Sequence, residues 1–342
     1  MATSGKRGIV LMNLGSPDST SVKDVRRYLN EFLMDERVID IPWLKRTILV
    51  KGIITPFRAP KSAHAYQTIW TKEGSPLIAI TKQLQQAVQK KVNDPVEIAM
   101  RYGNPSPKPA FDALMKKVPG LEEVVLFPLY PHYALASYET AVEYAKEIHA
   151  KNKYPFTLTI IPPYFNDPGY IDALSESMRP HLQQEYDHIL FSYHGIPARH
   201  LHNRNVAQVQ ECVNAGSCLA AGATKNKNCY RYEVFETTRL VTEALNIPKE
   251  KHSLSFQSRL GKGWLEPFTD IRLEQMPKEG IKKLLIISPA FVSDCLETLE
   301  ELEIRGKEIF IGAGGESYKM IPCMNVLEKW VEFVSSMVNG QS

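Results

Sequence analysis

Two short segments of this chain carry side chains suited to handling a cation or a proton. In HILFSYHGIP, His194 follows an apolar run and precedes Gly195, Ile196 and Pro197. If that run is a buried parallel strand, its end is where open α/β sheets place their ligands. An imidazole there can bind a metal or take a proton near neutral pH. Gly195 lets the backbone approach a ligand closely, and Pro197 stiffens the turn. The plain alternative is a structural histidine at a strand end.

The second segment, SDCLETLEEL, follows another apolar run, Leu284–Ser288. Ser293 or Asp294 suits a helix N-cap. Glu297 and Glu301 are four residues apart and share a helix face. With Asp294 they make an acidic column that can draw in a divalent cation or relay protons. The plain alternative is a solvated first turn that complements the helix dipole.

Three other segments add rings and cations. Arg101 and Tyr102 close the candidate strand that begins at Val96. Tyr130 lies in PLYPHY after another, and Ser258, Arg259 and Trp264 lie in FQSRLGKGWLEP. Together these residues describe a cleft with aromatic walls and cationic edges. A flat, apolar, anionic ligand suits such a site, with rings for its faces and Arg for its carboxylates.

The elements that must position these residues alternate along the chain. Short apolar runs at Ile9–Leu14, Val96–Met100, Val124–Phe127, Phe156–Ile161, His188–Ser192, Leu254–Gln257, Leu284–Ser288 and Ile309–Gly312 read as buried strands. Helical periodicity fills the intervals at Val22–Met34, Ile78–Val92, Pro109–Lys117, Ser137–Lys151, Tyr170–Gln184, Val234–Leu245, Asp294–Arg305 and Pro322–Met337. This pattern predicts an α/β protein with mainly parallel sheets. The length of 342 residues suits two domains, 1–160 and 161–342, divided near the Pro-rich IPPYFNDPG. The final helix can pack on either half.

A formal net charge of +3 without a long Lys/Arg run does not point to nucleic acid. The apolar run near the start is too short for a secretory signal, and no stretch is long enough to span a bilayer. A cytoplasmic protein with reduced thiols is expected. Segment 43–70 mixes large apolar residues with Lys and Arg. It reads as an ordinary amphipathic helix and loop, or as an apolar lip that touches a membrane surface. Segment 204–231 is rich in Asn, Gly and Ala, holds Cys212, Cys218 and Cys229, and reads as an insertion.

LFSYHGIP, FQSRLGKGWLEP and SDCLETLEEL, in that order, resemble the ferrochelatase family. The likeness runs from GIVLMNLGSP and GSPL through PLYPHY to IFIGAGGESYKMIPCMN. It implies two Rossmann-like α/β domains of chelatase type, with a porphyrin cleft between them. The implied reaction inserts Fe2+ into protoporphyrin IX with loss of two pyrrole protons, the last step of haem formation. No cofactor is required, and iron and porphyrin are the substrates.

By the same resemblance, His194 and Glu297 are the catalytic and iron-handling pair. Asp294 and Glu301 match the acidic line for metal or protons. Leu14, Arg101, Tyr102, Tyr130, Trp264 and Phe291 match the porphyrin pocket. An apolar Leu14 fits protoporphyrin, because a tyrosine stands there in the enzymes that metallate coproporphyrin. Some members carry a [2Fe-2S] cluster, which needs four ligands. Cys212, Cys218 and Cys229 supply three, separated by five and ten residues. The fourth is undefined among His200, His202 and Cys323. A cluster, a zinc site and a metal-free loop all stay open. Peripheral contact with the inner membrane is expected if segment 43–70 acts as a lip. Competing functions are a coproporphyrin ferrochelatase, another tetrapyrrole metal chelatase, and a porphyrin carrier without turnover.

Overall fold

The computed structural model describes residues 6–201, 228–259 and 263–340. Two compact units divide the chain. The first takes residues up to Tyr130, Leu135–Pro162 and Val331 onward; the second takes Pro131–Ala134 and Pro163–Trp330.

The first unit is built on four parallel strands, β1 (Arg7–Ser16), β2 (Val96–Gly103), β3 (Glu123–Pro128) and β4 (Thr157–Ile160), in the order β2-β1-β3-β4. Ile9, Val10, Leu11 and Met12 have no exposed surface, as expected for a central strand covered on both faces. Helices α1 (Val22–Leu33), α2 (Trp43–Thr47), α3 (Thr55–Ile69), α4 (Pro76–Gln89), α5 (Pro107–Lys117) and α6 (Thr140–Lys151) surround the sheet. α1 starts where the Ser21 hydroxyl accepts the Asp24 N–H, and it buries Val25, Tyr28, Leu29 and Leu33 at helical spacing. Gly15 has φ +103°, and a Cβ there would sit 1.8 Å from the Tyr102 carbonyl oxygen. No other residue lets β1 and β2 run together at this end.

The second unit repeats the plan. Strands β5 (His188–His194), β6 (His252–Gln257), β7 (Lys283–Ile287) and β8 (Ser317–Met320) are parallel, in the order β6-β5-β7-β8. Its helices are α7 (Pro168–Met178), α8 (Tyr230–Ala244), α9 (Thr269–Gln275), α10 (Lys307–Gly312) and α11 (Glu328–Val338). The unit assignment changes within α11, between Trp330 and Val331. Leu190, Leu273, Met276, Leu284, Ile286, Leu302, Phe310, Tyr318 and Met320 form one core under this sheet.

The pair of parallel α/β sheets expected from the alternation is what the chain forms. Three element readings change. Ile309–Gly312 is not a strand but the end of α10, with Phe310 buried. A four-residue apolar run does not distinguish a buried helix face from a strand. The strand is the less apolar Ser317–Met320, which buries alternate residues. The candidate helix at Asp294–Arg305 is a π-helix, Glu297–Gly306, which continues into α10. The helix expected from Pro322 starts at Glu328, after turns.

Candidate active site

Both sheets reverse their strand order between two neighbouring strands, β1 and β3 in the first unit and β5 and β7 in the second. The crevice outside the carboxyl ends of such strands is the usual ligand position. Leu14, Tyr130, His194, Phe291 and Glu297 lie at or after the ends of these strands, and Arg101, Tyr102 and Trp264 lie at or after the ends of the neighbouring β2 and β6.

In the second unit, His194 is the last residue of β5 and pairs in register with Gln257, the last of β6. The segment carrying Phe291 and Glu297 leaves β7, on the other side of β5. The Phe291 ring meets the His194 ring edge-on, 6.3 Å between centroids. Trp264 forms a bridge with Pro197, and Leu265 N–H donates to the Ile196 carbonyl at 3.0 Å. A Cβ at Gly195 would lie 2.8 Å from the Gln257 carbonyl oxygen and 3.3 Å from the Trp264 ring, so the glycine is needed for close approach.

His194 Nδ1 lies 2.7 Å from the Gly195 carbonyl oxygen. A carbonyl only accepts, so Nδ1 carries the hydrogen and a neutral ring keeps its lone pair on Nε2. The tautomer is thereby set for Nε2 to accept a proton or bind a cation. The two polar atoms of the preceding peptide unit, between His194 and Gly195, are held as well. Gly195 N–H donates to the Gln257 carbonyl at 2.7 Å, and the Tyr230 hydroxyl donates to the His194 carbonyl at 2.8 Å.

Glu297 opens the π-helix. π-Helical turns are rare and are frequent at functional sites. Gln257 Nε2 donates to the Glu297 main-chain oxygen at 3.1 Å, and Gln257 Oε1 accepts the Ser192 hydroxyl at 2.7 Å. One buried amide thus ties β5 to the start of the π-helix. The buried Cys295 thiol bonds the Glu297 side chain. Burial, then the Glu297 charge, pushes that thiol well above its ordinary range.

The other two acids of the expected column are engaged differently. Asp294 is buried. Its Oδ1 lies 3.0 Å from the Thr298 hydroxyl, and its Oδ2 accepts from Asn325 Nδ2 at 2.7 Å. Cys323 N–H also donates to Oδ1 at 3.3 Å. Asp294 therefore fastens the entry of the π-helix to the loop after β8. Glu301 accepts the Ser258 hydroxyl and pairs with Arg305 at 3.2 Å. Ser258 adopts φ +64°, a left-handed conformation that is uncommon for serine. Among the described residues, no three of His, Cys, Asp or Glu gather as a metal-ligand group.

In the first unit, Leu14 is the one position between Gly8 and Ser16 of β1 that keeps partial exposure. Arg101 does not project freely. Its guanidinium donates to Asp35 at 2.5 Å and to the Thr140 hydroxyl at 2.6 Å, and it stacks over the Tyr102 and Tyr144 rings. Tyr102 has no exposed surface and donates to Asp35 at 2.9 Å. Its ring supports Arg101 rather than presenting a face. Burial works against the Asp35 charge. Hydrogen bonds from the Thr140 hydroxyl and the Arg37 N–H, with the Arg101 charge, outweigh burial and hold the carboxyl below its ordinary range. The Tyr130 hydroxyl is buried and meets no hydrogen-bond partner among the described residues. Burial keeps it protonated, as a donor.

Cys212 and Cys218 lie outside the described residues, as does His202. Cys229 is buried and stands at the N-cap position of α8 without a side-chain capping bond. Sequence reasoning passed over Gln257, Tyr230 and Asp35. The available signal was a polar residue at a strand end for Gln257, and none for the other two.

A family model described as ferrochelatase matches residues 6–342. A ferrochelatase of Opitutus terrae is 47% identical over 336 residues, 97% of this chain and 96% of the relative. One of Pseudomonas entomophila is 47% identical over 331 residues, 96% and 97% of the two chains. Among solved structures, SirB of Bacillus subtilis with Fe3+ matches at TM-score 0.55 and 12% identity, over 98% of both chains. A multi-domain Deinococcus radiodurans protein with structural similarity to chelatases matches at TM-score 0.50 and 11% identity, over 98% of this chain and 55% of that one. These two likenesses concern the fold alone.

Proposed function

Because the chain belongs to the ferrochelatase family, whose reaction puts Fe2+ into a porphyrin, we propose that its porphyrin is protoporphyrin IX and that His194 and Glu297 perform the exchange. The observation that carries this reading is the His194 tautomer, with Nδ1–H on the Gly195 carbonyl and the Nε2 lone pair left for the substrate.

The reaction exchanges two pyrrole protons for one Fe2+. A free porphyrin holds both N–H groups inward, and a planar ring resists the metal. Contacts remote from the nitrogens can favour a bent ring, which directs binding energy toward the transition state. Phe291 and Trp264, beside His194, offer apolar faces for such contacts. Leu14 and Tyr130, at the strand ends of the first sheet, are further candidates, and an apolar Leu14 favours protoporphyrin. His194 Nε2 takes one pyrrole proton and the ring becomes an imidazolium, still donating from Nδ1 to Gly195. The Glu297 carboxylate takes the second pyrrole proton, so that two protons leave as one Fe2+ enters. Asp294 and Glu301 set the shape and the field of the π-helix that presents Glu297. Arg101, pinned by Asp35, fixes a positive charge near Tyr130.

A [2Fe-2S] cluster on Cys212, Cys218 and Cys229 would be a separate structural element. Of that set only Cys229 is described, and the fourth ligand is undefined, so no step of the reaction runs through it. Visible absorption and iron content of the purified protein decide its presence. Peripheral membrane contact is supported by Trp43, Leu44, Ile48, Ile53 and Phe57, all more than half exposed around α2 and the start of α3. Lys45, Lys51 and Arg58 are exposed among them. No helix among the described residues is long and apolar enough to cross a membrane.

Anaerobic assays with Fe2+ and either protoporphyrin IX or coproporphyrin test the substrate. Haem formation from protoporphyrin is expected to dominate, and faster turnover of coproporphyrin would reverse the assignment. His194→Ala and Glu297→Gln should each abolish nearly all turnover while porphyrin still binds. Full activity in both removes the pair from the mechanism.

A further inference from the structure

We propose that Tyr230 is a positioning residue for the reaction: its hydroxyl holds the His194 carbonyl and so fixes the pose of the imidazole. This rests on the reading of His194 given above.

The argument starts from α8. Tyr230, Glu233 and Thr237 lie on one face of this helix, at helical spacing, and all are buried. Each holds a segment of the second unit. Tyr230 donates to the His194 carbonyl at 2.8 Å. Glu233 accepts the Tyr133 N–H at 2.5 Å. The Thr237 hydroxyl donates to the Phe165 carbonyl at 2.7 Å and lies 2.9 Å from His132 Nε2. The His132 ring packs edge-on against both Tyr193 and Tyr230, with centroids 5.5 and 6.1 Å away. A polar seam inside an apolar helix face is tolerated because each group has a partner, and its first member ends at the active-site histidine.

The backbone of His194 and Gly195 offers three polar handles near the imidazole. Gly195 N–H is tied to Gln257, the Gly195 carbonyl takes the imidazole Nδ1–H, and the His194 carbonyl takes the Tyr230 hydroxyl. The first two depend on main-chain atoms or on the histidine itself. Only the third is set by a removable side-chain atom. Without it the His194 carbonyl lacks that donor, and its peptide plane, held through the Gly195 N–H, can tilt about that bond. Such a tilt shifts His194 relative to the Gly195 carbonyl of the next peptide unit, which loosens the Nδ1–H bond and with it the tautomer and the aim of Nε2. Small misplacements of reacting groups lower turnover steeply.

The test is Tyr230→Phe in the full chain, with Tyr193→Phe as control. Tyr193 is the residue before His194. Its buried hydroxyl bonds Thr238 on the same helix at 2.8 Å, so the control removes the same kind of atom without touching the His194 carbonyl. In Tyr230→Phe, kcat for iron insertion should fall about tenfold or more, with porphyrin KM within about twofold of the parent. The 15N spectrum of His194, assigned by its loss in His194→Ala, should move away from the Nδ1–H tautomer. Tyr193→Phe should lower Tm comparably and leave kcat and the tautomer near the parent values. Unchanged kcat in Tyr230→Phe overturns the proposal, as does a fall in kcat with an unmoved tautomer, or an equal loss in Tyr193→Phe. Full turnover in His194→Ala would sink the role of His194 itself. The tautomer measurement would then still decide whether Tyr230 sets the imidazole pose.

Discussion

Gln257 donates its side-chain amide to the main-chain oxygen of Glu297 at 3.1 Å, from the strand position paired with His194. The two proposed catalytic residues thus share one buried strut. Because the Glu297 carbonyl can only accept, the amide orientation is fixed, and Oε1 is left for the Ser192 hydroxyl. Gln257→Met keeps the bulk and removes both bonds. We expect kcat to fall about tenfold, with porphyrin KM little changed, since the loss concerns geometry in the transition state. Steady-state kinetics check this, and a change confined to KM would refute it.

Glu233 gives a dependence on pH. Burial pushes its carboxyl up to about 8 from 4.5. The unfolded chain ionises this group from about pH 4.5, whereas the folded chain keeps it protonated until about pH 8. Its contribution to stability is therefore full below pH 4.5 and is lost as pH rises toward 8. Glu233→Gln keeps an oxygen for the Tyr133 N–H and removes the titration. It should be more stable than the parent by on the order of 3 kcal/mol at pH 7, with the advantage vanishing near pH 4. Thermal unfolding of both proteins across this range measures the difference, and parallel curves would contradict it.

Asp35 and Arg101 form a buried pair whose side chains are 3% and 13% exposed. Asp35→Asn leaves the guanidinium buried without its counter-charge. Breaking such a pair costs about 3–5 kcal/mol of folding free energy. Because the folded Asp35 carboxyl titrates below its ordinary 3.8, the stability it adds is present above pH 3.8 and lost as pH falls below that. Denaturant unfolding at pH 7 and pH 3 should show a large deficit for the variant at pH 7 and a smaller one at pH 3. Equal deficits at both would contradict the ion-pair account.

The exposed apolar side chains around α2 give a binding test. Sedimentation with vesicles of mixed neutral and anionic lipid should recover the parent protein, with less recovered at high salt. Trp43→Ser combined with Phe57→Ser should lose most of this binding while iron insertion from detergent-dispersed porphyrin is kept. Absence of parent binding, or undiminished binding by the variant, would remove the membrane reading.

Much of the architecture was legible because buried parallel strands write near-continuous apolar runs. HILFSYH, GIVLMN and LLIIS state their own structure. IFIG misled because four apolar residues fit a helix face as well as a strand, and SYKM was too polar to notice. The π-helix was not legible, since residues four apart in sequence look alike in either helix. The partners of the acidic residues were not legible either. Asp294 turned to Thr298 and Asn325, and Glu301 to Ser258 and Arg305.

The sequence by itself determined the two α/β sheets, the family, and the placing of His194 and Glu297 on segments that end neighbouring strands, because those follow from local pattern. Only the tertiary structure decided that the His194 proton sits on Nδ1, that Gln257 joins the pair, that Tyr230 grips the histidine backbone, and that Arg101 is already committed to Asp35. The first is a bond to the adjacent Gly195 whose geometry the fold holds, and the other three join residues at least 36 apart in the chain. Such bonds depend on where the folded backbone brings a donor within about 3 Å of an acceptor, and no spacing rule along the sequence encodes that distance.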